Sequence, residues 1–437
     1  MNLAKIVYLP IELNVRELES KSLLAVHLLK RGFHIVIGQQ WELYNQIPHL
    51  PPGIFLFKSH NKIHQNAMKL AKKYGFFVAA LEEETLGVCS DRHIKKNSTN
   101  ELYDLCDYIL TPGKFEKLFH QKKNKKDNIF IVGNPRADIL KKKYLDIFKE
   151  KITSIKSRFG RYCLINTNFG IANAFMGNVE QMKAIAINAG AIDLKNQESL
   201  SDFDFILDWE SKNLISIKEL IFELAKKNLG INFIVRPHPA ESIELIKSTY
   251  KDLSNVYVLR EGSHIPWTLA SEILIHTSCS TGFESFLAGH NALSLVYEEN
   301  WYTKSILSNK VNYIFNSNEK IKRYLNDYFS ESKSALRFET PNINDLEYFV
   351  DNIGVNSAVE KIATIFEDIP CKFNSFKFTL GPVSQRQEFQ KIKCTIPGEE
   401  IEKLIKDFCL IEGSEFIEMN IKIQKMADSL FFISPQL

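Results

Sequence analysis

Short apolar runs alternating with amphipathic stretches dominate the pattern of the chain. Residues 3–9 form the first apolar run and end at Pro10; Leu18, Leu23, Leu24, Val26, Leu28 and Leu29 then recur at helical spacing until Gly32 stops the pattern. Further runs follow at 33–38, 53–58, 76–81, 108–110 and 129–132, separated by helical patterns such as 67–73 and 101–106. Strands alternating with helices predict a doubly wound parallel sheet. The lysine-rich stretch 139–157 reads as a polar connecting helix. A second series of runs, at 162–165, 231–235, 256–259, 273–276 and 292–297, predicts a second parallel sheet. A long helical region is expected over 176–228, interrupted near 193–202. Residues 370–437 are less periodic, with helices expected around 398–409 and 418–429.

The predicted fold class is therefore α/β: two Rossmann-type doubly wound domains, 1–150 and 151–369, with a helical or mixed C-terminal extension at 370–437. This is a GT-B-like arrangement, for which the active site is expected in a central cleft between the domains.

Polar residues gather where the predicted strands end. In an open parallel sheet ligands bind at that edge. The strand Phe233-Ile234-Val235 runs into Arg236-Pro237-His238-Pro239, and Ile273-Leu274-Ile275 into His276-Thr277-Ser278-Cys279-Ser280-Thr281-Gly282. The second turn opens a helix, whose N-terminal N–H groups, with the hydroxyls of Ser278, Ser280 and Thr281, suit a phosphate. His238, held between prolines, adds a donor, and Arg236 a cation. An ordinary hydroxyl-rich helix cap is the alternative for this turn. Glu284 suits ribose hydroxyls or the helix dipole, and Asn166 and Asn168 suit phosphate or sugar. Together these residues read as half of a nucleotide-sugar site.

The first domain offers acids. Glu82, Glu83 and Glu84 are adjacent, and their mutual repulsion would raise the pKa of at least one into the range of a general acid or base. In Gly133-Asn134-Pro135-Arg136-Ala137-Asp138, Asp138 is either a catalytic carboxylate or the cap of a helix at 139–143. Arg136 either orients it or binds an acidic sugar. Glu12, Arg16 and Glu17 follow the first strand and border the acceptor side.

Composition narrows the class. At 437 residues, 45% hydrophobic and 24% charged, the chain is expected to form two soluble globular domains. A net charge of +3 does not suggest nucleic acid. The seven cysteines are scattered, as expected for reduced thiols in the cytoplasm. The N-terminal apolar run is too short for a signal peptide, and no run is long enough to span a bilayer. The clusters Lys122, Lys123, Lys125, Lys126 and Lys141–Lys143 read as solvated faces, or else as a peripheral attraction to anionic lipid at the inner face of the membrane. His60 and His64 have H-x-x-x-H spacing and Asp202-Phe203-Asp204 is a D-x-D. Neither brings an obvious third ligand, so no metal is expected.

The segments P-I-E-L-N-V-R-E (10–17), P-P-G-I-F-L-F-K-S (51–59), L-E-E-E (81–84), G-N-P-R-A-D (133–138), L-I-N-T-N-F (164–169), R-P-H-P (236–239) and H-T-S-C-S-T-G-F-E-S (276–285) resemble the bacterial surface carbohydrate biosynthesis proteins. Those are in turn similar to the β-Kdo glycosyltransferases of capsule and O-antigen assembly. The resemblance covers about residues 1–300. It implies a glycosyltransferase moving an ulosonic acid, Kdo above all, from its CMP-sugar to a glycan or glycolipid acceptor, with no metal or other cofactor. His238, Ser278, Ser280 and Thr281 would hold the CMP phosphate, Asp138 would be the nucleophile of a retaining double displacement, and Glu83 or Glu84 the acid/base. Arg136 or Arg236 would meet the sugar carboxylate. The family's usual Asp-Glu-Glu-Gly is here Glu82-Glu83-Glu84-Thr85. Two alternatives remain open: a CDP-alcohol phosphotransferase of the teichoic-acid type, and a non-catalytic nucleotide-sugar-binding subunit.

Overall fold

The first apolar run folds as the strand Ile6–Ile11, with all six residues buried. It lies inside an eight-stranded sheet of a unit made of residues 1–86, 91–147 and 343–437. His34–Gln39 flanks it on one side; Ile54–Phe57, Phe77–Leu81, Tyr108–Thr111 and Ile129–Ile131 continue on the other, all parallel. Strands covered on both faces read as unbroken apolar runs, which is why they are legible in the sequence. Tyr8, Phe55 and Phe57 stack within one core, with Tyr8 and Phe55 ring centres 5.5 Å apart, and Phe76 meets Tyr8 and Phe55 edge-on. The computed structural model describes residues 3–175, 177–188, 192–330, 343–372 and 378–435, the side chains of 96 and 97 excepted.

Counted along the chain, the parallel strands of this unit stand in the order 2-1-3-4-5-6. The chain steps to one side of its first strand and then crosses to the other. The switch point, where a crevice forms at the carboxyl ends, therefore lies between Ile6–Ile11 and Ile54–Phe57.

The C-terminal region departs from expectation. Residues 343–437 group with the first unit, so the second unit ends near 342 rather than 369 and the C-terminal extension is part of the first unit. The helix expected at 418–429 is instead mostly the strand Ile421–Ala427, which pairs antiparallel with Leu430–Pro435. Leu430–Pro435 in turn pairs antiparallel with His34–Gln39. Alternation of Ile421 and Ile423 with Lys422 and Gln424 has the period of a strand. The helix Gly398–Glu412 does form, burying Ile401, Ile405, Phe408 and Cys409 and packing on the helix Asn14–Lys30.

The second unit comprises residues 87–90 and 148–342. The helix Lys149–Phe159, expected as a connection, packs Ile155 and Phe159 into its core. Six parallel strands stand in the order 3-2-1-4-5-6: Val256–Val258, Asn232–Arg236, Tyr162–Asn166, Ile273–His276, Ala292–Leu295 and Tyr313–Phe315. Here the switch point falls between Tyr162–Asn166 and Ile273–His276, whose terminal residues Asn166 and His276 are register partners. The long helix Gln197–Lys227 lays Ile217, Leu220, Ile221 and Leu224 on this sheet. Its start is capped by Asn196, which accepts the Glu198 N–H at 3.0 Å. No helix among the described residues is long and apolar enough to cross a membrane.

Gly38 shows how tightly the C-terminal hairpin is joined. Its φ is +150°, and a Cβ there would lie 2.1 Å from the Ser429 carbonyl oxygen. Gly38→Ala is expected to cost about 1–3 kcal/mol, from overpacking of backbone on backbone. Chemical denaturation should show a lower midpoint; an unchanged midpoint would mean that the hairpin does not bear on the strand His34–Gln39.

Candidate functional site

At the switch point of the first sheet a lysine is enclosed by acids. Lys58 follows the strand Ile54–Phe57, and its Nζ lies 2.8 Å from Glu17 Oε1, 3.0 Å from Glu12 Oε2 and 3.2 Å from Glu84 Oε1. Burial opposes its charge, but the carboxylates of Glu17, Glu84 and Glu12 more than offset this and hold the ammonium well above the ordinary lysine range. Glu17 also accepts the backbone N–H of Glu12 at 2.9 Å, fixing the loop after the first strand. Burial works against ionisation of Glu12; Lys58 and Lys393 override it and bring the carboxyl down to about 2.

The three adjacent glutamates separate rather than cluster. A short 3-10 turn, Glu83–Thr85, sends them in different directions. Glu82 points inward and accepts from Ser59 Oγ at 2.6 Å, His60 N at 3.0 Å and Glu84 N at 3.1 Å, yet burial raises it to about 8. Glu83 is buried against Lys21 Nζ at 2.8 Å, and burial pushes its carboxyl up. Glu84 alone faces outward, its side chain 39% exposed. The Arg16 guanidinium 3.1 Å away, helped by Lys58, holds it well below the usual carboxylate range. Burial, more than the expected mutual repulsion, raises the first two.

Asp138 does not stand where a nucleophile must. It is fully buried, and its oxygens accept from Asn352 Nδ2 at 2.9 Å, Lys141 Nζ at 2.8 Å, Val359 N at 2.9 Å and Ser357 Oγ at 3.4 Å. It anchors the start of the helix Ala358–Glu367 rather than capping a helix at 139–143. Arg136 is also buried and donates to the Glu83 carbonyl at 3.3 Å, which leaves it poorly placed for a sugar carboxylate.

In the second unit the switch point gathers most of the expected residues. Thr277 Oγ1 donates to Asn168 Oδ1 at 2.6 Å, tying the two strand ends together. Buried Glu241 accepts from Thr167 Oγ1 at 2.7 Å and from the His238 N–H at 2.9 Å, so it sets the Pro-His-Pro turn beside them. His238 Nδ1 accepts the Ala240 N–H at 3.2 Å, which places the ring proton on Nε2. Ser278 adopts φ 54° and its Oγ accepts from Asn309 Nδ2 at 2.9 Å. The helix Ser280–Leu287 then begins without a side-chain cap, at Cys279. Asn166 is 4% exposed, and both polar atoms of its side chain, like Thr281 Oγ1, are buried without a hydrogen-bond partner. A buried amide left unmatched costs stability unless something else satisfies it.

Two expected ligands are committed elsewhere. Arg236 donates to the carbonyls of Glu261 at 3.0 Å and Gly262 at 2.8 Å and lies over the Trp267 ring, with burial lowering its pKa to about 10. Glu284 is buried and paired with His264 Nε2 at 3.0 Å. Nothing in the sequence marks Lys21 or Glu241 as site residues, and Lys58 reads there only as the end of a strand. A charge closing an otherwise apolar strand was the available signal for Lys58.

The chain is thus a two-unit α/β protein of GT-B-like build, with a polar site at the switch point of each sheet. No protein-family model matches it, and no curated protein does. Among solved structures it is similar to the UDP-GlcNAc 2-epimerase of Methanocaldococcus jannaschii in complex with UDP-GlcNAc and UDP, at 14% identity and TM-score 0.49, over 84% of this chain and 99% of that one. It is also similar to the UDP-GlcNAc 2-epimerase of Neisseria meningitidis bound to UDP-GlcNAc, at 12% and 0.45, over 82% and 97%. The wall teichoic acid polymerase TagF follows at 14% and 0.45, over 84% and 88%. Likeness at this level transfers neither a reaction nor a site residue.

Lys58→Met is expected to destabilise the fold by about 3–5 kcal/mol at neutral pH, because three carboxylates lose their shared cation. Glu12 has a folded pKa of about 2 against an ordinary 4.5, so its contribution is present above pH 4.5 and lost as pH falls through 2. The gap between wild type and variant should therefore close on acidification in urea titrations. Asp138→Asn should cost about 1–3 kcal/mol by the same assay, through the lost charged cap; a neutral effect would return Asp138 to the catalytic candidates.

Proposed function

We propose that the protein is a nucleotide-sugar-dependent glycosyltransferase of surface polysaccharide biosynthesis. In this reading the second unit holds the donor nucleotide; the switch point of the first unit, taken by itself, carries the candidate carboxylate and the residues expected on the acceptor side. The observation that carries it is the buried, unmatched Asn166 side chain at the switch point, beside the hydroxyl-rich turn 277–281 and the His238 Nε2–H. Fixed neutral donors of this kind suit a phosphate that becomes a leaving group, since they need no reorganisation as charge develops.

The resemblance in the motifs favours a CMP-activated ulosonic acid such as CMP-Kdo, transferred with retention to a glycan or glycolipid. Glu84 is the carboxylate we assign to the first displacement. It is outward-facing and held ionised by Arg16 and Lys58, both conditions a nucleophile needs. Arg16 then replaces Arg136 and Arg236 as the cation for the sugar carboxylate. Glu12 borders the acceptor.

Calorimetry with CMP, CDP and UDP tests the donor site. CMP should bind best, and His238→Ala should weaken it about tenfold or more. Preference for UDP, or binding indifferent to His238, would overturn the phosphate assignment; preference for CDP would favour phosphoalcohol transfer. With a CMP-Kdo assay in hand, Glu84→Gln should lower kcat by about 10²–10⁴ while CMP binding persists. Retained CMP binding with no turnover by the wild type on any acceptor would point to a non-catalytic binding subunit.

A further inference from the structure

Behind the loop that carries Lys58, the first unit holds two histidines and a glutamate whose outer atoms are all engaged and whose inner atoms are not. Glu116 and His120 lie four residues apart on the helix Lys114–Gln121, hence on one face of it. His60 comes from the loop after Ile54–Phe57. One ligand atom from each residue lies within 4.8 Å of the others, the only such trio among the described residues. All three are buried: His60 and His120 have no exposed surface, and Glu116 has 3%.

Each side chain is held from behind. His60 Nε2 faces the Ala80 carbonyl at 3.4 Å, which puts the ring proton there and the lone pair on Nδ1. His120 Nδ1 pairs with Tyr103 Oη at 3.0 Å. Glu116 Oε2 accepts from Thr85 Oγ1 at 3.1 Å. The remaining atoms, His60 Nδ1, His120 Nε2 and Glu116 Oε1, have no hydrogen-bond partner, and the last two stand 3.6 Å apart. An imidazole anchored at one nitrogen and presenting the other, beside a carboxylate anchored likewise, is the outer-shell pattern of metal ligands.

We propose that His60, Glu116 and His120 form a buried site for one divalent transition-metal ion of the zinc class, with its fourth position open. Two imidazoles and one carboxylate suit that class. Ligand atoms at ordinary bond lengths of about 2.0–2.1 Å would stand about 3.3 Å apart, so the trio has to contract modestly around the ion. The ion would clamp the helix Lys114–Gln121 to the loop after Ile54–Phe57, and through Thr85 and the Glu82–His60 hydrogen bond to the turn bearing Glu84. It is a positioning device for the acids rather than a reactant. The H-x-x-x-H spacing of His60 and His64 hid this trio, because His64 is not in it: its Nδ1 is bonded to Tyr44 Oη at 2.8 Å.

Titrating the chelator-treated full-length protein with Co²⁺ tests the site directly. A single equivalent should bind and give the visible ligand-field bands of a four-coordinate ion, displaced by Zn²⁺. His120→Ala and Glu116→Gln should weaken binding by about 100-fold or more, Tyr103→Phe by about 10- to 100-fold, and His64→Ala not at all. Absence of stoichiometric binding, or binding that survives His120→Ala, overturns the proposal. Should the ligand variants fail to fold, X-ray absorption of the zinc-loaded wild type decides instead: two imidazoles and oxygen support the site, and sulfur neighbours refute it.

Discussion

A buried ammonium surrounded by carboxylates is the interaction on which the first unit's site depends. Lys58 ends a wholly buried strand at the place where the sheet reverses its strand order, and there it holds Glu12, Glu17 and Glu84 within hydrogen-bonding range. A charge so placed is tolerable only with partners, and it joins Arg16 in keeping Glu84 ionised and Lys393 in keeping Glu12 so. The loops after three neighbouring strands are thereby tied at one edge. Glu84 is then the acid that remains open to solvent, while Glu82 and Glu83 are drawn inside.

The second unit meets the same topological constraint with different chemistry. Its switch point is lined by amides, hydroxyls and the imidazoles of His238 and His276, and its organising charge, Glu241, is spent on Thr167, Asn173 and the His238 backbone. Strongly charged edges suit acid–base or nucleophilic work, and neutral preorganised edges suit the holding of an anion. That contrast between the two edges is the physical content of the functional reading, and the choice of donor comes from the resemblance in the motifs.

Much of the fold was legible because parallel strands buried on both faces leave unbroken apolar runs, as Ile54–Phe57 and Ile273–His276 do. The C-terminal hairpin was not, since its pairing partner His34–Gln39 lies hundreds of residues away and the alternation of Ile421 and Ile423 with polar residues is too short to outweigh a helical pattern over 418–429. Distance along the chain also hid the role of Asp138, whose partners Asn352 and Val359 are 214 and 221 residues removed. The run of three glutamates suggested repulsion, because adjacency is visible in a sequence and the direction in which a 3-10 turn points each side chain is not. Where motifs followed strand ends, the residues at 166–168, 238 and 277–281 were brought together as expected; Arg236 and Glu284 were not, because burial assigned each a structural partner.

The central claim is that each sheet's switch point is its working edge, with the nucleotide held in the second unit. A crystal structure of the protein soaked with CMP tests it most directly. The account predicts the phosphate at the turn 277–281, hydrogen-bonded to the Asn166 side chain and to His238 Nε2. A nucleotide bound with Asn166 still unmatched, or lodged in the groove of the first unit lined by Ile405, Cys409, Leu410 and Ile421, would contradict it.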